Sequence, residues 1–133
     1  MRTKLLTTLV SLLILLSPSK AQQSDAVDAL ASYFNASDSK KISAYFSSTL
    51  ELNILSEENL YSKAQAEQIL RDFFFKNEPV SVKIVHRLSS NPNYKLAIFS
   101  MITAKDKFRI SISLSSIGKR FFVKEIRIEN DKE

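Results

Sequence analysis

The sequence predicts an α+β fold in which helices pack on one face of a curved antiparallel sheet. Three stretches between residues 25 and 76 carry apolar side chains every three or four positions, as amphipathic helices do. Residues 80–129 instead alternate apolar and polar side chains, except that residues 94–103 are apolar on both faces, as in a central strand. Short polar turns separate these runs. Strands at hairpin spacing form a meander, and its apolar face needs a covering layer, which the helices supply.

Two helices are predicted at the start of this region. Asp25 is the expected N-cap of the first helix and Asp38 of a second, shorter one around Ile42. At 100° per residue, one stripe of the first helix contains Val27, Leu30, Ala31 and Phe34. A half-buried strand follows, in which Leu50, Leu52 and Ile54 alternate with polar residues.

The longest helix is predicted over residues 62–76. Ser62 and Gln65 have the spacing of a capping box, and Pro79 prevents the helix from continuing far beyond Asn77. The run Phe73, Phe74 and Phe75 cannot place all three rings on one stripe. We therefore expect Phe73 and Phe74 in the core, while Phe75 is either folded back on the core at the helix exit or an exposed aromatic.

Four strands are predicted after this helix, at about residues 80–88, 94–103, 108–115 and 121–129, with Gly118 in the last turn. The inward positions expected from helix and strand periodicity are Ile54, Ile69, Phe73, Ile84, Ile98, Ile110, Ile112 and Ile126. The domain is therefore expected to span residues 22–130, with a polar tail at 131–133.

Residues 1–21 have the pattern of a secretory signal peptide. Arg2 and Lys4 precede an uncharged apolar run at residues 5–16, and cleavage is expected between Ala21 and Gln22. Twelve apolar residues are too few to span a bilayer as a helix, which needs about 20. The protein is therefore predicted to be exported, periplasmic or secreted, without a membrane span in its mature form.

Composition excludes several classes of site. The chain has no cysteine and one glycine, which excludes thiol catalysis, zinc ribbons and glycine-rich phosphate loops. Without residues 1–21 the formal charge falls from +5 to +2, because Arg2, Lys4 and Lys20 are removed. That charge is too small to indicate nucleic-acid binding. No cofactor and no metal are expected, since one histidine cannot build a metal site.

The helix "SKAQAEQILRDFFF", followed by "VKIVHRLSSNPNYKLAIFSM" and "KFRISISL", resembles a known group. It is similar to a family of small exported bacterial proteins of unknown function. That resemblance implies a cystatin-like, nuclear-transport-factor-2-like roll, with N-terminal helices and one long helix packed on the curved sheet. It implies no catalytic residues, and a fold by itself does not confer function.

A ligand pocket is one interpretation of the space between helix 62–76 and the sheet. The candidate lining residues are Phe73, Ile84, His86, Tyr94 and Ile98. His86, the sole histidine, has the strand parity of Val82 and Ile84 and could orient a small apolar ligand. The alternative is that His86 is structural and the space is a filled core.

The second sheet face is the other candidate site. Alternation predicts that one semi-apolar, nearly uncharged face carries Val85, Ala97, Phe99, Met101, Ser111, Ser113 and Val123. Such a face is typical of an interface, and here it predicts a homodimer or another protein partner. The alternative is that a helix or loop covers it.

The leading functional hypothesis is therefore an exported, non-catalytic binding or assembly module. A carrier of a small apolar ligand in the cone between the long helix and the sheet is the second hypothesis. An isomerase- or dehydratase-like enzyme is the third, because such chemistry needs an acid or base inside an apolar cavity and the inward positions are almost all aliphatic.

Overall fold

The computed structural model of the chain describes residues 25–132. The predicted signal peptide and the cleavage position between Ala21 and Gln22 lie outside these residues. Most of the predicted polar tail, residues 131 and 132, is described, and it follows the last strand as irregular chain.

Three helices precede or interrupt the strands: α1 (Ala26–Asn35), α2 (Ser39–Ser43) and α3 (Lys63–Lys76). The predicted caps are confirmed, since Asp25 accepts from the Val27 amide and Asp38 from the Lys41 amide. Ser62 and Gln65 form both hydrogen bonds of the capping box that begins α3. Among residues 25–132, no helix is both long enough and apolar enough to cross a bilayer.

Six strands form one sheet: β1 (Phe46–Ile54), β2 (Glu57–Ser62), β3 (Pro79–Leu88), β4 (Tyr94–Thr103), β5 (Lys107–Ile117) and β6 (Arg120–Asn130). Their order is β2-β1-β6-β5-β4-β3. The predicted antiparallel meander is confirmed for β3 to β6. The β1–β2 hairpin then joins the sheet through a parallel pairing of β1 with β6.

Two tight turns depend on left-handed backbone. Gly118, with φ of 69°, occupies the first central position between β5 and β6, where a type II′ turn requires a positive φ. Leu55 and Ser56 join β1 to β2 with φ of 52° and 82°. Positive φ at both central positions is the type I′ pattern, which usually takes Asn-Gly. This hairpin therefore carries backbone strain.

The core lies between the helices and one side of the sheet, which we call the inner face. Phe34 of α1 meets Phe74 of α3 and Phe99 of β4 edge-on, at centroid distances of 5.5 and 5.8 Å. Phe73 meets Phe108 of β5 in the same way at 5.3 Å. Such tilted aromatic pairs add to the burial of apolar area. The space beneath α3 is thus filled by aromatic side chains.

The prediction that Phe73 and Phe74 are core residues is confirmed, and of the two alternatives for Phe75 the structure shows the exposed one. Phe73 and Phe74 are buried in the core, whereas 90% of the Phe75 side chain is exposed.

Two of the register shifts in the sheet change which side chains reach the inner face. In β3, Ile84 pairs with Phe99 and His86 with Ile98, so Val85 is an extra residue. In β6, Val123 pairs with Leu114 and Glu125 with Ser113, so Lys124 is extra. Because side chains alternate along a strand, one extra residue moves every later side chain to the other face.

Candidate functional site

The five predicted pocket residues do not share a cavity. Phe73 is buried in the core and Ile84 packs against that core from the inner face. Tyr94, His86 and Ile98 lie on the other side of the sheet, which we call the outer face. The prediction that His86 shares a sheet face with Val82 and Ile84 is wrong. The bulge at Val85 turns the His86 side chain to the outer face.

The predicted interface residues are also divided between the two faces. Val85, Ser111 and Ser113 lie on the outer face or at its bulge, as predicted. The others are at most 1% exposed and lie in the core: Ala97, Phe99, Met101 and Val123. Strand β4 carries apolar side chains on both faces, so the prediction of which of its residues point inward was wrong. Val123 points inward because of the bulge at Lys124.

The outer face has a neutral centre on β4 and β5. Its side chains there are Tyr94, Leu96, Ile98, Ser100, Ile102, Ser111, Ser113 and Ser115, all placed on one side by the β4–β5 register. At the β3 edge, 60% of Val85 and 45% of Leu88 are exposed. Within residues 25–132, no helix packs over this centre, since the helices contact the inner face.

A groove of about 630 Å³ runs across this face beside β3. His86, Leu96 and Ile98 line its apolar part, and Lys107, Arg109 and Asp131 line its polar end. His86 and Ile98 are direct cross-strand neighbours. Two of the five predicted pocket residues therefore do come together, but on the outer face.

Charges divide the outer face into two halves of three strands each. On β3, β4 and β5 the outward charges without an ion pair in the described part of the chain are Lys83 and Arg109, while Lys107 lies 3.9 Å from Asp131. On β6, β1 and β2 the carboxylates of Glu51, Glu58 and Glu125 lie within 4.8 Å of one another. Arg127 approaches Glu125 at 3.7 Å and Glu129 at 3.5 Å.

This acidic group was missed by sequence reasoning. Its three carboxylates come from three strands, and only the register Glu51↔Glu125 with Asn53↔Glu58 brings them together. Glu58 follows Glu57 on β2 and faces outward beside Asn53.

A partly exposed ionic network joins the start of α1 to the sheet. Asp25 accepts from Lys95 Nζ at 2.7 Å and from Arg87 at 3.5 Å, and Asp28 accepts from Arg87 at 2.7 Å. Burial alone would raise the pKa of Asp25. The hydrogen bonds from Lys95 and the Val27 amide, with the nearby positive charges, outweigh burial and lower that pKa.

A family model described as "Domain of unknown function (DUF4783)" matches residues 10–129. The chain belongs to the DUF4783 family. No curated protein matches the chain.

Crystal structures of DUF4783 proteins have the same fold. The protein from Bacteroides uniformis is 19% identical, with a TM-score of 0.77 over 82% of this chain and 100% of that one. The protein from Bacteroides ovatus is 20% identical, with a TM-score of 0.74 over 78% and 94% of the two chains. At these identities the likeness concerns the fold.

A more distant structure defines the wider class. A domain of unknown function with a cystatin-like fold from Nostoc punctiforme is 9% identical, with a TM-score of 0.63 over 81% of this chain and 74% of that one. The predicted α+β roll, cystatin-like and nuclear-transport-factor-2-like, is thereby confirmed. The DUF4783 family is one of unknown function, and membership assigns no catalytic residue to this chain.

Proposed function

We propose that this DUF4783 protein is a non-catalytic assembly module that forms a homodimer through the outer face of its sheet. The observation that carries the proposal is the neutral centre on β4 and β5, uncovered within the described residues. Leu96 and Ile98 are flanked there by exposed Ile102 and by serines without charge. Semi-apolar faces of this kind are typical of protein interfaces.

The charge pattern favours a second copy as the occupant. The midline of the outer face runs between β6 and β5, with Lys83 and Arg109 on one side. Glu51, Glu58 and Glu125 lie on the other side. A two-fold axis parallel to the strands, running between β4 and β5 of two stacked faces, places the two neutral centres on each other. It also brings β3 of each copy, which carries Lys83, over β6 of the other, which carries Glu125. Such self-complementarity is what an isologous interface requires.

An axis perpendicular to the strands would instead stack like charges. The proposal therefore specifies the geometry of the dimer as well as its existence. The aligned stacking of two sheets about 10 Å apart is a common arrangement that buries two such faces together.

Export is part of the proposal and depends on the sequence pattern at residues 1–21. Cleavage after Ala21 would leave Gln22 as the first residue, only three positions before the N-cap Asp25. N-terminal sequencing of the protein recovered from its host tests this: an intact Met1 would contradict cleavage.

Native mass spectrometry of residues 22–133 tests the dimer. The wild-type protein should be a dimer at micromolar concentration, and Ile98→Lys should be a monomer that still unfolds cooperatively on heating. Phe75→Lys is the matched control, because Phe75 is 90% exposed on α3 and lies outside the outer face. It should remain a dimer. A monomeric wild type, or a dimeric Ile98→Lys protein, would overturn the proposal.

A carrier of a small apolar ligand is the second candidate function, and the groove beside β3 favours it. Its volume of about 630 Å³ lies in the usual range for small-molecule sites, roughly 300–1,000 Å³. His86 provides a polar group beside apolar Leu96 and Ile98. In the same spectra, a monomer that carries a few hundred extra daltons would support the carrier over the dimer.

A further inference from the structure

A second cleft lies on the opposite side of the molecule, at the junction of α1, the end of α2 and the starts of β4 and β6. Its volume is about 600 Å³. The lining residues are Asp25, Ala26, Ala44, Tyr45, Lys95, Arg120 and Phe121. Arg120 also borders the outer face, since it pairs with Ile117 and its guanidinium lies 5.4 Å from the centre of the Phe122 ring.

The charges in the cleft are not balanced. Lys95 is occupied by Asp25, since its ammonium donates to that carboxylate at 2.7 Å and lies 4.5 Å from the centre of the Phe121 ring. Arg120 has no carboxylate within ion-pair distance among residues 25–132. The cleft therefore has one uncompensated positive charge, which favours an anion.

Tyr45 adds a hydrogen-bond donor near that charge. Burial and the neighbouring Tyr33 raise the pKa of Tyr45, while the positive charge of Arg120 acts to lower it. Arg120 is thus near enough to act on the phenol electrostatically, and the phenol keeps its proton at neutral pH. A guanidinium beside a phenolic O–H can contact the two oxygens of one carboxylate.

The remaining walls are apolar and small. Phe121 and the ring of Tyr45 provide aromatic surface, and Ala26 and Ala44 leave the space between them open. The volume lies in the range of small-molecule sites, which combine an apolar lining with a few polar groups that set orientation. An occupant that matches these walls has one carboxylate and an aromatic or similarly flat apolar body.

We infer that this cleft binds a small aromatic or apolar monocarboxylate, with its carboxylate on Arg120 and Tyr45 and its body against Phe121. Lys95 and Asp25 form one wall of the site and hold Phe121 in place. No local sequence pattern indicates this site, because its charged members are widely separated along the chain.

Isothermal titration with 2-naphthoate tests the inference, with 2-naphthamide as the uncharged analogue. The wild-type protein should bind the carboxylate saturably and the amide at least tenfold more weakly. Arg120→Gln should weaken 2-naphthoate binding by about 10- to 100-fold, as expected for loss of a charged hydrogen bond, and Tyr45→Phe by about 2- to 10-fold.

Lys119→Gln is the matched control, because Lys119 is the adjacent cation of the same turn and does not line the cleft. It should alter the affinity by less than twofold. Ala44→Trp is a second variant: it fills the cleft without changing charge and should abolish binding. Thermal unfolding of each variant shows that it is folded.

Several results would overturn the inference. They are absence of saturable binding at millimolar 2-naphthoate, equal binding of the amide, equal loss in Lys119→Gln and Arg120→Gln, or unchanged binding in Ala44→Trp. Displacement of 2-naphthoate by inorganic phosphate at equal concentration would show that the cleft binds anions without regard to the aromatic body, and would also overturn it.

Discussion

Lys95 Nζ lies 2.7 Å from Oδ1 of Asp25, and this contact joins the start of β4 to the N-cap of α1. The two residues are 70 positions apart in the sequence, and only about a fifth of the Lys95 side chain is exposed. The pair therefore couples the position of the first helix to the sheet, and it does so through a carboxylate that must stay ionised.

Acid should weaken the fold through this carboxylate. The pKa of Asp25 is lower in the folded protein than its ordinary value of 3.8. Its contribution to stability is therefore complete above about pH 4 and is lost as the pH falls through the lower folded value. Asp25→Asn should cost about 1 kcal/mol at pH 7 and flatten the acid side of the stability profile, measured by urea unfolding.

Glu78→Gln is the control for Asp25→Asn, since Glu78 is an exposed carboxylate without an ion pair in the described part of the chain. Superimposable acid profiles for the wild-type and Asp25→Asn proteins would contradict the prediction.

Lysine substitutions at two adjacent positions of β4 should have different effects on folding. Phe99 is fully buried against Phe34, whereas Ile98 lies on the outer face. An unpaired ammonium in the core costs more than a domain of this size can lose, so Phe99→Lys should abolish cooperative unfolding. Ile98→Lys should retain it. Thermal unfolding followed by circular dichroism distinguishes the two, and a folded Phe99→Lys protein would refute the assignment of faces.

The β1–β2 turn should be improved by glycine. Ser56 has φ of 82°, a conformation that glycine adopts without the penalty of a Cβ. Ser56→Gly should raise the free energy of unfolding by about 0.5–1 kcal/mol. Ser48→Gly, in an exposed position of β1 without a positive φ, should lower it by a similar amount. Chemical denaturation measures the change in the free energy of unfolding for each variant, and the two changes should have opposite signs.

Truncation of two neighbouring phenylalanines of α3 should lower the stability of the protein by very different amounts. Phe74 contacts Phe34 and Phe73 and is 5% exposed, so Phe74→Ala should cost about 3–5 kcal/mol. Phe75→Ala should change the free energy of unfolding by less than about 0.5 kcal/mol, because its side chain is 90% exposed. Urea midpoints measure both values, and a large loss in Phe75→Ala would indicate a contact outside the monomer.

The sequence predicted the fold well because its helices and β5 have clear periodicity. The α3 capping box identifies the start of that helix, and the alternation around Ile110 and Ile112 identifies the buried side of β5. The sequence of β4 does not identify its buried side, because Ile98 and Phe99 are both apolar and only pairing with β5 decides which one is buried. Local patterns contain no information about that pairing.

The candidate sites were harder to predict than the fold. His86 was placed on the wrong face because a single bulged residue, Val85, leaves no recognisable mark in an apolar strand. The acidic group on the outer face and the cleft at Arg120 depend on contacts between strands and helices that are distant in sequence. Such sites follow from register and topology, which are decided by the whole core.

The parallel pairing of β1 with β6 also determines the order in which the chain can fold. Strands β3 to β6 can assemble from neighbour to neighbour, but β1 has to wait for a partner that begins at Arg120. Loop closure of this length slows folding, and until it occurs the inner edge of β1 remains an open hydrogen-bonding edge. A growing chain that lacks its last strand thus exposes the same edge that the finished protein conceals.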